Sequence, residues 1–287
     1  MKRAMARSWL ETRIEVPSDE AETFGAQLID LGSPGLITEE RGDRCELVAY
    51  FEHDEQIAAV RALVEARGIA AALRLVRIGE ENWAQNWKEH FPRIEVGNRL
   101  CLCPPWEAPT PGRVGVIIDP GMAFGTGHHA TTRACLELLE ARVQPGSLVL
   151  DVGTGSGVLS IATLLLGAER AVGVDVDAIA LEAARGNAAR NGVAERFSVA
   201  ASLEGVDDLF DLALANIQAN VLAELEPELS ARVKPGGLLI ASGLLRQELA
   251  AWKPLYAPRW RFGTTSGDAQ WVAIEAWRTD SPKRGEP

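Results

Sequence analysis

The chain has 287 residues, a length that at about 150 residues per domain points to two domains. Its 47% hydrophobic and 24% charged residues make a globular composition and exclude a disordered or fibrous chain. Lys and Arg total 29 against 40 Asp and Glu, and the net charge of −11 argues against direct nucleic-acid binding and suits a basic substrate or a small ligand.

The start, MKRAMARSWLETR, is basic without the apolar core of a signal peptide. No apolar run reaches the roughly 18 residues of a membrane span, so a soluble, cytoplasmic protein is expected. SWLETRIEV (8–16) alternates as a half-buried strand does. DEAETFGAQLIDLG (19–32) puts Phe24, Leu28 and Leu31 at helical spacing between an acidic first turn and Gly32. PGLITEE (34–40) and RCELVAYF (44–51) read as a hairpin turning at Arg41-Gly42-Asp43. DEQIAAVRALVEARG (54–68) is a second helix and ALRLVRI (72–78) a fourth strand. The order βαββαβ over residues 1–79 is that of a small ferredoxin-like α+β domain.

Residues 80–110 read as a helical, then Pro-rich, linker. Trp83, Trp87 and Phe91 of EENWAQNWKEHF fall at i, i+4 and i+8, a stripe suited to docking a connecting helix, with a cap over a ligand site as the alternative. Cys101 and Cys103 share a face of an extended segment and read as small buried hydrophobes. With Cys45 and Cys135 they show no CxxC spacing, so neither a disulfide framework nor a structural zinc site is indicated.

Residues 111–287 form the second domain. From Pro145 onward strands alternate with helices: strands at 147–152, 171–176, 196–200, 210–216 and 236–243, helices at 157–167, 178–192 and 220–233. A helix around 244–257 and an antiparallel hairpin in RWRFGTTSGDAQWVAIEAWR complete a Rossmann-like seven-stranded methyltransferase sheet, rather than a six-stranded, all-parallel dinucleotide fold. Trp252, Trp260, Trp271 and Trp277 read as core and edge packing, since no basic stripe accompanies them.

The glycine loop narrows the ligand. DVGTGSG places Gly153, Gly155 and Gly157 between a strand and a helix, and the dinucleotide fingerprint would need a further glycine where Val158 stands. A backbone that approaches a ligand closely, without a pyrophosphate to hold, suits the methionyl and ribose parts of S-adenosylmethionine. Asp175 ends the next strand, where a carboxylate accepts both ribose hydroxyls. Asp151 reads as a prop for the loop or a contact to the cofactor's amino group. DPGMAFGTGHHATT (119–132) offers a loop with Phe124, Gly125 and Gly127, then Thr131 and Thr132 as caps of a helix. Asn216-Ile217-Gln218 follows the fourth parallel strand, at the carboxyl-end crevice of such sheets. His128 and His129 read as loop structure or a cofactor-proximal hydrogen bond, ahead of a proton acceptor and well ahead of a metal site, and no metal is expected.

DPGMAFGTGHHATT, NWAQNWKEHF, LDVGTGSGVLSIA and GVDVD followed by GNAARNG, in that order, resemble the ribosomal protein L11 methyltransferases of the PrmA type. The resemblance covers residues 80–245 closely and the amino-terminal domain by pattern. It implies S-adenosylmethionine as cofactor and methylation of lysine side-chain and α-amino groups of one large-subunit ribosomal protein, recognised by the ferredoxin-like domain. It also implies that Thr132, Gly153, Asp175 and Asn216 bind the cofactor, with Phe124, Gly125 and Thr126 in a loop over it; the glycine-loop reading adds Gly155 to the cofactor-binding residues. A monomer is expected. Two departures stand out: Gln218 where the family has leucine, and Ala200-Ala201-Ser202 without an acid after the third strand, which leaves the adenine to backbone contacts.

The chemistry follows from elementary terms. Transfer of a sulfonium methyl to nitrogen needs in-line positioning and a neutral amine. A lysine of pKa about 10.4 costs roughly 4.6 kcal/mol to deprotonate at pH 7, and desolvation lowers that cost. The Asn216 carboxamide oxygen and the backbone carbonyl after it are neutral acceptors for the nitrogen's hydrogens, whereas a carboxylate there would favour the unreactive ammonium. Asn216 is therefore the candidate catalytic residue, with bulk water taking the proton. The alternatives are a lysine methyltransferase for another protein, a small-molecule methyltransferase, and a catalytically silent cofactor-binding module.

Overall fold

The computed structural model describes residues 8–33, 35–68, 73–79, 91–120, 127 and 129–279. The stripe through Trp83 and Trp87 lies outside them. The described residues divide into two compact units, one holding those up to Pro92 together with Pro120, the other the rest from Arg93 onward.

The first unit runs β1 (Ser8–Pro17), α1 (Ala21–Asp30), β2 (Leu36–Arg41), β3 (Arg44–Phe51), α2 (Asp54–Ala66) and β4 (Leu73–Gly79). Its sheet has the order β2-β3-β1-β4 with every neighbouring pair antiparallel, the split βαββαβ arrangement expected from sequence. Alternation along β1 and β3 turns Leu10, Ile14, Leu47, Ala49 and Phe51 toward one face. There they pack with Phe24 and Leu28 of α1 and Val60 and Val64 of α2. On β1, Arg13 pairs with the buried acids Glu11 (2.7 Å) and Glu46 (3.2 Å).

The second unit opens with β5 (Ile94–Val96), β6 (Leu100–Cys103) and β7 (Val114–Ile117), a three-stranded sheet in that order. Ile94–Val96 and Leu100–Cys103, expected within a linker, are therefore strands joined by a turn. Every residue of β6 is buried, so it shows no alternation to read. The Arg113 guanidinium ties the turn together by donating to the carbonyls of Gly97 (3.0 Å) and Leu100 (3.0 Å). All four cysteines are buried and none is in a disulfide.

There follow α3 (Ala130–Arg142), β8 (Leu148–Val152), α4 (Val158–Leu165), β9 (Arg170–Val174), α5 (Ala178–Arg190), β10 (Phe197–Ala200) and β11 (Phe210–Asn216). The chain ends with α6 (Ala219–Glu224), α7 (Glu226–Arg232), β12 (Val233–Leu245), α8 (Leu249–Tyr256), β13 (Trp260–Gly267) and β14 (Trp271–Arg278). The seven strands lie in the order β10-β9-β8-β11-β12-β14-β13. The first five are parallel, and β14 inserts antiparallel between β12 and β13. One sheet face packs Val149, Leu214 and Ile240 against α3 and α4, and the other packs Leu150, Ala213 and Leu239 against residues of α6, α7 and α8. The helix expected over 220–233 is two helices, because Pro227 in the first turn of α7 has no amide with which to continue α6. Among the described residues no helix is long and apolar enough to cross a membrane.

On β14 of this sheet a buried acid is paired with an arginine of α3. Glu275 of β14 is 2% exposed and receives Arg142 through two hydrogen bonds (2.7 and 3.2 Å) and the Thr264 amide (3.1 Å). Removing one partner of such a pair leaves an uncompensated charge. Arg142→Ala is expected to cost on the order of 3 kcal/mol, and Arg142→Leu combined with Glu275→Leu to recover most of it, both measured by denaturant unfolding.

Candidate cofactor and acceptor site

After β8 the chain doubles back because the Val174 carbonyl at the end of β9 accepts two consecutive amides, from Gly153 (2.7 Å) and Thr154 (3.0 Å). That reversal places Gly153, Gly155 and Gly157 at φ values of 73°, 52° and 81°, the left-handed region that disfavours side chains. Space demands glycine as well. A Cβ on Gly153 would overlap the Ile217 Cγ2 methyl, and one on Gly157 would lie 3.3 Å from the Ala184 Cα of α5.

Two carboxylates brace this loop. Asp151, 1% exposed, accepts the hydroxyls of Thr154 (2.8 Å) and Ser160 (2.7 Å) and the Ser160 amide (3.3 Å), all on Oδ2. Its Oδ1 has no hydrogen-bond partner among the described residues. Burial pushes this carboxyl up to about 6, against the hydrogen bonds that favour its charged form, and the Asp175 charge adds to the rise. Asp175, one residue beyond β9 and half-buried, accepts the Gly155 amide on Oδ2 (2.9 Å) and the Asp177 amide on Oδ1 (3.0 Å). Each oxygen keeps a second lone pair for a ligand hydroxyl.

The other wall is built from the first turn of α3 and the end of β11. His129, not Thr131 or Thr132, is the N-cap of α3: its Nδ1 accepts the Thr131 amide (3.3 Å) and lies 2.8 Å from the Thr131 hydroxyl. The two threonines expected as caps therefore fall inside the helix, because an imidazole acceptor stands ahead of them. Buried Thr132 accepts a hydrogen bond from the Asn216 Nδ2 (3.4 Å), which leaves the Asn216 carboxamide oxygen as the acceptor turned away from Thr132. The turn after Asn216 is seated by the Ile217 amide donating to the Ser242 carbonyl (3.2 Å) and by Gly243 (φ 80°), where a Cβ would overlap the Ile217 carbonyl. Gln218 is exposed and makes no side-chain cap bond, so the departure from leucine falls on solvent.

Thr132 thus touches Asn216, the adjoining Ile217 touches Gly153, and Gly155 touches Asp175. Phe124, Gly125, Thr126 and His128 lie outside the described residues. Sequence reasoning missed Ser160, Gly243 and the capping role of His129. Only a hydroxyl nine residues after Asp151 and a glycine ending the fifth strand hinted at the first two.

The family model described as ribosomal protein L11 methyltransferase (PrmA) matches residues 8–279. The chain belongs to the ribosomal protein L11 methyltransferase family. A ribosomal protein L11 methyltransferase of Pseudomonas aeruginosa (strain LESB58) is 37% identical over 289 residues, which cover 94% of this chain and 98% of that protein. One of Syntrophotalea carbinolica is 40% identical over 276 residues, covering 85% and 89%. The crystal structure of the ribosomal protein L11 methylase of Lactobacillus delbrueckii subsp. bulgaricus matches with a TM-score of 0.61 at 32% identity, covering 66% of this chain and 100% of that one. As a member of this family the chain is an S-adenosylmethionine-dependent protein methyltransferase.

The residues fit that cofactor. The loop is built on glycines with a left-handed backbone, a carboxylate with spare lone pairs stands at the end of the second parallel strand, and the neighbouring Thr132–Asn216 pair is uncharged.

Two outcomes follow from this geometry. Gly153→Ala is expected to lower stability by about 1–2 kcal/mol through the left-handed φ alone, and to weaken S-adenosylhomocysteine binding at least about tenfold by calorimetry. A carboxyl whose pKa is higher in the folded chain than in the unfolded one holds its proton preferentially when folded, so its contribution is full below the unfolded pKa and lost as pH rises through about 6. The stability of Asp151→Asn relative to the natural chain is therefore expected to rise by on the order of 3 kcal/mol between pH 4 and pH 8, measured by chemical denaturation.

Proposed function

We propose that this enzyme transfers methyl groups to lysine side-chain and α-amino nitrogens of ribosomal protein L11. In this reading Thr132, Gly153, Gly155, Asp175 and Asn216 hold the cofactor, and Asn216 is also the catalytic residue. The observation that carries it is the Thr132–Asn216 hydrogen bond, together with the packing of the adjoining Ile217 against Gly153.

When bound, S-adenosylmethionine supplies a methyl already activated on a sulfonium, so the chain's own task is to present an amine. Thr132 takes one hydrogen-bonding end of the Asn216 carboxamide and thereby fixes which end meets the incoming nitrogen. The carboxamide oxygen accepts an N–H and turns the amine's lone pair toward the donor, while stabilising the ammonium less than a carboxylate in its place would. The carboxylates of Asp151 and Asp175 are both engaged by the glycine loop and its flanks, where they brace backbone rather than bind the acceptor. The proton leaves to bulk water.

The amino-terminal unit, with its own core and sheet, is proposed to recognise the substrate protein, and the net charge of −11 suits a basic one. We further propose that the enzyme acts as a monomer in the cytoplasm, without binding nucleic acid directly.

Incubation with labelled cofactor and a mixture of ribosomal proteins is expected to label one band, L11, on its amines. Binding of cofactor without transfer would identify a silent module instead, and labelling of a different band another substrate. Asn216→Ala is expected to reduce turnover by about 10²-fold or more with the fold intact by circular dichroism; near-normal turnover overturns its role.

A further inference from the structure

The GNAARNG segment at the end of α5 carries two asparagines four residues apart, on one helical face, beyond the residues named in the site above. Asn187 is 1% exposed and uses both ends of its carboxamide. Its Nδ2 donates to the Ser156 carbonyl (2.9 Å), inside the glycine loop, and its Oδ1 accepts the Asp119 amide (3.1 Å). Asn191 binds elsewhere: its Oδ1 accepts the Ile117 amide (2.8 Å) and its Nδ2 donates to the Ile117 carbonyl (2.6 Å) and the Asn187 carbonyl (2.8 Å), extending the edge of β7 as another strand would. Arg190 pairs with the Asp119 carboxylate at the surface (2.8 Å).

Only a planar group with a donor at one end and an acceptor at the other satisfies both Ser156 and Asp119 at once. A carboxylate would set oxygen against the Ser156 carbonyl, and an aliphatic side chain would remove both hydrogen bonds. The Ser156 carbonyl lies between Gly155 and Gly157, residues with little intrinsic preference for one conformation. The close packing of Gly157 on Ala184 and the Asn187 hydrogen bond are what α5 contributes to holding that part of the loop.

We propose that Asn187 is a positioning residue for cofactor binding, holding the glycine loop in its binding conformation through Ser156 while fixing the loop to Asp119, and that Asn191 is a strand-edge clamp without this role. The inference rests on the reading of residues 153–157 as the cofactor cradle. A loop already in its bound shape loses less conformational freedom on binding, so the advantage Asn187 confers is read in affinity.

The test compares the natural chain with Asn187→Ala, Asn187→Asp and Asn191→Ala, using calorimetric binding of S-adenosylhomocysteine, thermal melting and steady-state kinetics. Asn187→Ala is expected to raise Kd and the cofactor KM about tenfold or more, with kcat at saturating cofactor within about twofold. Asn191→Ala is expected to lower Tm with Kd within about twofold of the natural value. Asn187→Asp adds a readout inside one folded protein. At pH 8 its carboxylate opposes the Ser156 carbonyl and binding is weak; near pH 5.5 a larger share of the introduced carboxyl is protonated and donates to that carbonyl, so binding recovers. The neighbouring charged groups are the Asp119–Arg190 pair. Because Asp151 of the loop itself titrates near 6, Kd is taken as a ratio to the natural chain at the same pH.

The inference is overturned if Asn187→Ala leaves Kd within about twofold, whatever happens to Tm. If that variant does not fold, a pH-independent ratio for Asn187→Asp overturns it equally. Absence of binding by the natural chain would instead bring down the reading of the cradle.

Discussion

A single acceptor, the carbonyl of Val174, organises the functional end of the larger unit. By taking the amides of both Gly153 and Thr154 it forces the chain to reverse immediately after β8, and that reversal is open only to residues tolerant of a left-handed backbone. The carbonyl belongs to the last residue of β9, so the next residue, Asp175, stands within reach of the loop and closes it through Gly155. A parallel sheet makes this economical: adjacent strands end on the same side, and one strand end shapes the loop leaving the other.

The two walls of the crevice divide the electrostatics between them. Carboxylates lie on the β8–β9 side, where Asp151 and Asp175 are occupied with backbone amides and hydroxyls. The β11–α3 side holds a carboxamide and a threonine hydroxyl, without formal charge. In the proposed reading, an amine presented to the second side meets neutral acceptors, which favour its ammonium form less than a carboxylate would. The uncharged wall in turn depends on Gly243, since only a bare α-carbon lets the Ile217 peptide lie across β12 and bring Asn216 to the strand end.

Most of the fold was legible because its elements obey simple periods. β1 alternates, β2 and β3 flank a turn marked by Gly42, α1 spaces Phe24 and Leu28 one turn apart, and β8 is a short apolar run between Gly146 and Gly153. The illegible parts had other determinants. β6 is buried throughout, so period two is erased, and its partners β5 and β7 are only three and four residues long. The break between α6 and α7 hangs on the position of Pro227 within a run of otherwise good helix formers. In the site, glycine spacing and the acid after the second strand spoke for themselves. His129 as a cap did not, since imidazole is an uncommon choice beside the hydroxyls that follow it. Contacts such as Asn187 to Ser156 join residues thirty-one positions apart and carry no local pattern at all.

The buried thiols have a use beyond packing. Cys45 sits in the core of the amino-terminal unit, and Cys101, Cys103 and Cys135 in the larger one. Burial pushes Cys103 up to about 11 and Cys135 up to about 12, which keeps them in the inert thiol form at neutral pH. Alkylation then proceeds only through opening events, and its rate at each site counts them. The chain carries native clocks on both of its halves, and mass-resolved labelling of Cys45 against Cys135 tells the breathing of one from that of the other without any engineered probe.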